Sequence, residues 1–224
     1  SITYETVIAR YNSDLANTLG NLVNRTVAMT NKYFGGKVSR PAARDELDAQ
    51  LTGLAESTLG EYQKLMEGFR VADALEAILN LARRANKYID ETAPWALAKD
   101  EANKEKLEGV LYRLLEVIRY LGALLQPFLP DTAEKIFAQI GSQTKSLDSL
   151  KVFGAEESYT VGKAEPLFAR IDEAKKLAEL EEEAKANAPK EETKEEVPGL
   201  AQIGIEDFAK VELRAAKITA CEPI

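Results

Sequence analysis

The chain has 224 residues, 45% of them hydrophobic, with a formal net charge of −8. The size fits one large domain or one domain with appendages. It contains no histidine and a single cysteine, Cys221, which excludes His-dependent catalytic triads, His or Cys metal sites and an internal disulfide.

The acidity is not evenly spread. Residues 172–196 carry ten acidic and five basic side chains, a net of −5, and residues 199–224 carry a further −1. The remainder is close to neutral at −2. A lone reduced-type cysteine fits a cytoplasmic location, and no apolar run is long enough to expect a membrane span.

In chain order, residues 10–34 predict a helix, with Leu15, Leu19, Leu22, Thr26, Met29 and Tyr33 on one stripe. Phe34-Gly35-Gly36 stops it, and "KVSRP" reads as an irregular loop. Residues 44–68 predict one or two helical pieces, weakened by Gly60 and Gly68. Residues 69–89 predict a strong helix with Phe69, Leu75, Ile78 and Ile89 on its apolar side. A corner, "ETAPW", follows; a residue before proline is pushed out of helical geometry, so the sole tryptophan, Trp95, sits at a break. Residues 103–126 predict the strongest helix, ended by Pro127. "PDTAEKIFAQIG" predicts a short helix capped by Asp131, with Glu134 closing the capping box. Residues 142–170 read as irregular and 171–186 as a charged helix. "NAPKEETKEEVPG" is a solvated linker, and "VELRAAKITA" alternates like a β-strand.

These elements predict an all-α antiparallel helix bundle over residues 1–171, a charged linker over 172–200 and the start of a β-rich domain over 201–224.

No phosphate loop, dinucleotide fingerprint or nucleophile elbow occurs, and no residue is a catalytic candidate. What remains is a binding pattern. Asn17, Asn21, Asn24 and Arg25 fall at spacings of three and four on the first helix. Asn offers donor and acceptor together, and Arg a planar fork that also stacks; such groups read unstacked bases. Spacing alone favours the ordinary alternative, a stripe facing water or a neighbouring helix. Trp95 likewise is either a corner plug or a stacking platform. Arg83 and Arg84 read as helix surface, with a phosphate contact weakly supported.

Three segments, "NSDLANTLGNLVNRTVAMTNKYFGGKV", "ANKYIDETAPWALAKD" and "LLQPFLPDTAEKIFAQIG", resemble the anticodon-binding domain of methionyl-tRNA synthetases, in that family's order. "VGKAEPLFARID" resembles the segment that closes the domain, with Ala169 where a Pro is common. "IGIEDFAKVELRAAKI" is similar to the opening of the OB-fold tRNA-binding domain that many bacterial members append. The resemblance implies recognition of the CAU anticodon of methionine tRNA. Asn21 and Arg25 would contact bases, Trp95 would stack on the cytosine, and Asn24 and Asn17 are further candidate RNA contacts. It also implies a longer ligase whose catalytic domain uses ATP and Mg²⁺, with zinc in some members. None of that machinery is in this chain, which implies no activity by itself, and a homodimer would need the complete appended domain. Two alternatives stand beside this reading: the helical anticodon domain of another class I synthetase, such as the leucine or cysteine enzyme, and a non-catalytic protein-interaction bundle.

Overall fold

A computed structural model of the chain describes residues 2–187 and 204–211. The order is α1 (Tyr4–Arg10), a π-helical segment (Tyr11–Gly20), α2 (Asn21–Phe34), β1 (Lys37–Ser39), α3 (Glu46–Glu67), α4 (Val71–Thr92), α5 (Pro94–Leu97), α6 (Lys104–Leu125), α7 (Pro130–Ile140), β2 (Ser158–Thr160), α8 (Glu173–Ala186) and α9 (Ile205–Phe208). The chain divides into two compact units, Ser1–Leu180 and Glu181–Ile224. The first holds a helix bundle, in agreement with the all-α fold class expected. The strand expected within "VELRAAKITA" lies outside the described residues.

The bundle is built around α6. Every residue from Gly109 to Leu125 is buried, so beyond its exposed first turn this helix has no solvent face. Helices α2, α3, α4 and α7 all pack on it. That surround explains why its polar residues are costly. Glu116 and Arg119 are both fully buried, with Arg119 Nη2 donating to Glu116 Oε1 at 2.6 Å. Glu116 also accepts from the Gly154 and Ala155 amides and from the Tyr159 hydroxyl. Burial, followed by the Glu116 charge, pushes the Tyr159 phenol well above its usual range, so it stays a donor. Burial pulls the Arg119 pKa down, but the Glu116 hydrogen bonds and charge bring the net shift upward.

Several boundaries differ from the sequence expectation. The first helical rod begins at Tyr4, capped by Thr3, and its middle is π-helical. "KVSRP" is not wholly irregular: Val38 pairs with Tyr159 in a two-stranded antiparallel sheet. Three residues are too few for alternation to show, and the partner strand lies far along the chain. Residues 46–67 form one helix, because Asp45 and Asp48 make a reciprocal capping box and Gly60 is tolerated inside. Helix α7 starts two residues earlier than the expected Asp131 cap implies, with Leu129 at the N-cap and Pro130 in the first turn. Asp131 therefore lies inside the helix and caps nothing, while Glu134 pairs with Lys145 at 2.6 Å instead of closing a box. Helix α4 starts at Val71, which leaves Phe69 outside it and exposed.

The buried pair predicts a strong asymmetry. Arg119→Met alone leaves the Glu116 carboxylate without its counter-charge, and stability in urea unfolding is expected to fall by about 3–5 kcal/mol. A loss under about 1 kcal/mol would mean that the pair is not buried in solution.

Candidate nucleic-acid interface

The rod formed by α1, the π segment and α2 carries five asparagines, and the structure sorts them. Asn12 is committed: its side chain donates to the Ile171 carbonyl and accepts from the Ile171 amide, both at 2.9 Å. Asn31 is committed too, donating to the Gly162 carbonyl at 2.8 Å. Both fasten residues 162–171 across the rod, helped by Tyr11 edge-on to Phe168 at 6.0 Å. Asn17, Asn21 and Asn24 make no side-chain hydrogen bond among the described residues. Asn17 and Asn21 are exposed, and Asn24 is half-buried. The three asparagines of the stripe read from the sequence, Asn17, Asn21 and Asn24, are thus the uncommitted ones, while Asn12 and Asn31, outside that stripe, hold the 162–171 segment.

Phase matters as well. The segment before Asn21 is π-helical, with the Asn21 amide donating back five residues to the Ala16 carbonyl. A wider turn no longer keeps residues four apart in line. Asn17 is therefore off the line of Asn21 and Arg25, which share regular α-helix one turn apart. From α4, Asn86 donates to the Thr18 carbonyl at 3.0 Å and so ties the π segment to that helix.

The tryptophan corner is built by backbone geometry. Ala93 has φ 43° and ψ 66°, a left-handed conformation that an alanine adopts only when its surroundings hold it there. Pro94 excludes helical geometry for Ala93 and then opens α5 at its first position. Pro94 is buried, and Leu97 packs against the core. Trp95 lies between these anchors and is 45% exposed. No aromatic ring among the described residues stacks on it. Beneath the corner, Tyr88 donates to Asp48, and Asp48 pairs with Arg113 at 3.1 Å, which locks the end of α4 to α3 and α6.

Arg25 links the two parts. Its Nη2 lies 3.6 Å from Asp90 Oδ1, in the last turn of α4 and five residues before Trp95. The pair is loose and solvent-accessible, with the Arg25 side chain 41% exposed, so it orients the guanidinium weakly. The pair brings α2 at Arg25 alongside the last turn of α4, which leads into the Trp95 corner, and Asp90 is a neighbour of Arg25 that the sequence reading missed. An acidic residue near a Pro-Trp corner carries no sequence signal of its partner. Arg83 and Arg84 are already paired, with Glu76 and with Glu91 respectively, and Lys87 shares Glu91. These cations of α4 are therefore already matched by acidic neighbours, and Arg84 also reaches Gln50 on α3. Among the described residues, no group of three or more His, Cys, Asp or Glu could hold a metal ion.

Residues 38–186 match the family described as the anticodon binding domain of methionyl tRNA ligase. The methionine–tRNA ligase of Bacillus subtilis strain 168 is 47% identical over 231 residues, covering 99% of this chain and 35% of that protein. The ligase of Clostridium perfringens strain 13 is 45% identical, covering 98% of this chain and 34% of that protein. The chain thus spans about a third of the length of these curated relatives. The crystal structure of Mycobacterium tuberculosis methionyl-tRNA synthetase bound by methionyl-adenylate is similar at TM-score 0.71 and 31% identity, over 75% of this chain and 34% of that chain. Its apo form gives 0.72 over 77% and 35%. Trp95 falls inside the family match, whereas Asn21 and Arg25 precede it.

The exposure of Trp95 sets a measurable expectation. Trp95→Ala should destabilise the chain far less than the roughly 3–5 kcal/mol expected for a core aromatic such as Phe137 replaced by Ala. Equal losses in denaturant unfolding would identify Trp95 as a corner plug.

Proposed function

The chain belongs to the anticodon-binding domain family of methionyl-tRNA ligases, and from that premise we propose that it reads the CAU anticodon of methionine tRNA. The observation that carries the proposal is the combination of an uncommitted Asn21 with a half-exposed Arg25 and an exposed, rigidly mounted Trp95. Sequence-specific RNA recognition takes unstacked bases, which need a replacement stack and edge partners. Trp95 supplies the stack for the cytosine, worth about 1–3 kcal/mol. Asn21 and Arg25 contact base edges, with Asn24 close by and Asn17 a more distant contributor. A wrong base leaves these polar groups unpaired, which gives discrimination without bulk positive charge. That suits a bundle in which Arg83, Arg84 and Lys87 of α4 already have acidic partners.

Within a longer ligase, this part would present the tRNA to a catalytic domain that joins methionine to it with ATP and Mg²⁺, in the cytoplasm. No residue of this chain is assigned to those cofactors. Residues 1–171 would be the recognition bundle, 172–200 a linker, and 201–224 the start of an appended tRNA-binding domain whose complete form would support a homodimer.

Labelled anticodon stem-loops titrated with the chain at fixed salt test this reading. The CAU loop is expected to bind more tightly than loops with other anticodons. Asn21→Ala, Arg25→Ala and Trp95→Ala are each expected to weaken CAU binding by about 1–3 kcal/mol and to narrow that preference. Equal binding of all loops, or no effect of the three substitutions, would favour a protein-interaction bundle instead.

A further inference from the structure

The loop between β1 and α3 departs from the charge pattern of the rest of the bundle. Every arginine on the helices of the bundle has a carboxylate partner. Arg40 and Arg44 have none among the described residues. They flank Pro41-Ala42-Ala43 and line one cavity of about 230 Å³, closed by that loop, α3 and α6.

Arg40 is held in place by the fold. Its amide donates to the Glu157 carbonyl at 2.8 Å, which extends the β1–β2 pairing, and its Nη1 donates to the Gly154 carbonyl at 2.7 Å. Pro41 keeps the residue before it out of helical geometry. Gly154 has φ 89°, and a Cβ there would lie 3.3 Å from Arg40 Cδ, so the crossing of the two segments requires glycine. The Gly154 amide in turn donates to Glu116. A single carbonyl orients the Arg40 guanidinium without neutralising it. Arg44 is exposed and makes no side-chain hydrogen bond among the described residues. Arg113 is also part of the wall, but Asp48 matches its charge, and its Nη2 donates to the Ala43 carbonyl, which pins the loop. Tyr112 and Thr52 donate to the carbonyls of Glu156 and Asp48. Glu56, exposed on α3, is the lining carboxylate, and Arg40 and Arg44 together outweigh it.

Two guanidinium forks without carboxylates, sharing one cavity, fit an oxyanion, and phosphate oxygens in particular. The cavity is smaller than the roughly 300–1,000 Å³ of ordinary small-molecule sites, so it has room for a phosphate and its ester links but not for a nucleotide. It also lies toward the tryptophan end of the bundle. The Asp48 that pairs with Arg113 accepts from Tyr88, and Tyr88 precedes Trp95 by roughly 10 Å of helix rise. A neighbouring cavity shares Pro41, Arg44 and Arg113 with this one and extends to Ala102, between α5 and α6.

We propose that Arg40 and Arg44 hold a backbone phosphodiester of the bound RNA, a few nucleotides from the base stacked on Trp95. The proposal rests on the recognition reading above, which supplies RNA as the partner, and adds to it a fixed anchor for the backbone. A phosphate contact positions the strand and carries no sequence information, so its role is separate from that of Asn21, Arg25 and Trp95.

Arg44→Ala tests the proposal cleanly, because Arg44 has no partner among the described residues and its melting temperature is expected to match the parent's. CAU and non-CAU stem-loops should both bind about three- to tenfold more weakly, with the ratio between them preserved. The fall of log K with log salt should become shallower by about 0.7. Arg44→Lys, which keeps the charge but not the fork, should keep the salt slope and recover only part of the affinity. Stem-loops with a neutral methylphosphonate at one backbone position at a time locate the contact. One position should weaken binding to the parent and have no further effect on Arg44→Ala. Unchanged affinity and salt slope in both Arg44→Ala and Arg40→Ala would overturn the proposal, as would the lack of any methylphosphonate position coupled to Arg44. Inorganic phosphate, compared with chloride at equal ionic strength, separates a free anion from RNA. Thermal stabilisation by phosphate that Arg40→Ala abolishes, with the RNA salt slope unchanged, would make this a small-anion site and overturn the RNA assignment. Equal binding of all anticodon loops by the unsubstituted chain would defeat the recognition reading instead, with the Arg44 effect still measurable on every loop.

Discussion

A buried carboxylate holds this bundle to its loops. Glu116 lies on the fully buried stretch of α6 and gathers donors from Arg119, Tyr159 and the amides of Gly154 and Ala155. Three of those four lie in the irregular stretch between α7 and α8, so one side chain fixes how that stretch crosses the bundle. Tyr159 then sets β2, β2 pairs with β1, and the Val161 amide donates to the Gly36 carbonyl just past α2. The far end of α2 is thereby tied to α6 through the sheet. At the other end of the rod, Asn12 and Tyr11 clasp Ile171 and Phe168. The helix that carries Asn21 and Arg25 is held at both ends by segments that look structureless in the sequence.

That arrangement separates support from contact. Side chains that maintain the fold have their hydrogen bonds filled: Asn12, Asn31, Asn86, Asp48 and Arg113 each have a partner within the chain. Asn21 and Trp95 present their functional groups outward from backbone that is itself immobilised. Preorganisation of this kind reduces the ordering cost of binding, and so a small face can discriminate bases without a large basic surface. The near-neutral charge of the bundle, which first argues against nucleic acid, is compatible with the short single-stranded target proposed for it.

Long periodic segments were legible from residue spacing. The apolar stripe of α4, the Leu-rich α6 and the glycine stop after Phe34 follow directly from 3.6-residue spacing and left-handed glycine geometry. Short or long-range features were not. Three-residue strands carry no readable alternation, and a buried Glu116–Arg119 pair looks like any surface pair three residues apart. The π segment was equally hidden, because its register is a property of backbone hydrogen bonds and not of residue type. For the candidate site, spacing placed Asn21 and Arg25 on one face and Pro94 put Trp95 at a break, but nothing local showed that Asp90 reaches Arg25 across helices. The exposure of Trp95, which bears on the choice between plug and platform, is a matter of packing and not of sequence spacing.

The account stands or falls on what Trp95 touches. As the only tryptophan in the chain, it reports on its own surroundings through fluorescence. Titration with a CAU stem-loop should quench that emission. A stem-loop in which the cytosine is replaced by an abasic sugar should quench it much less at equal occupancy. Equal quenching by both would contradict the stacking role and, with it, the assignment of this corner as the recognition platform.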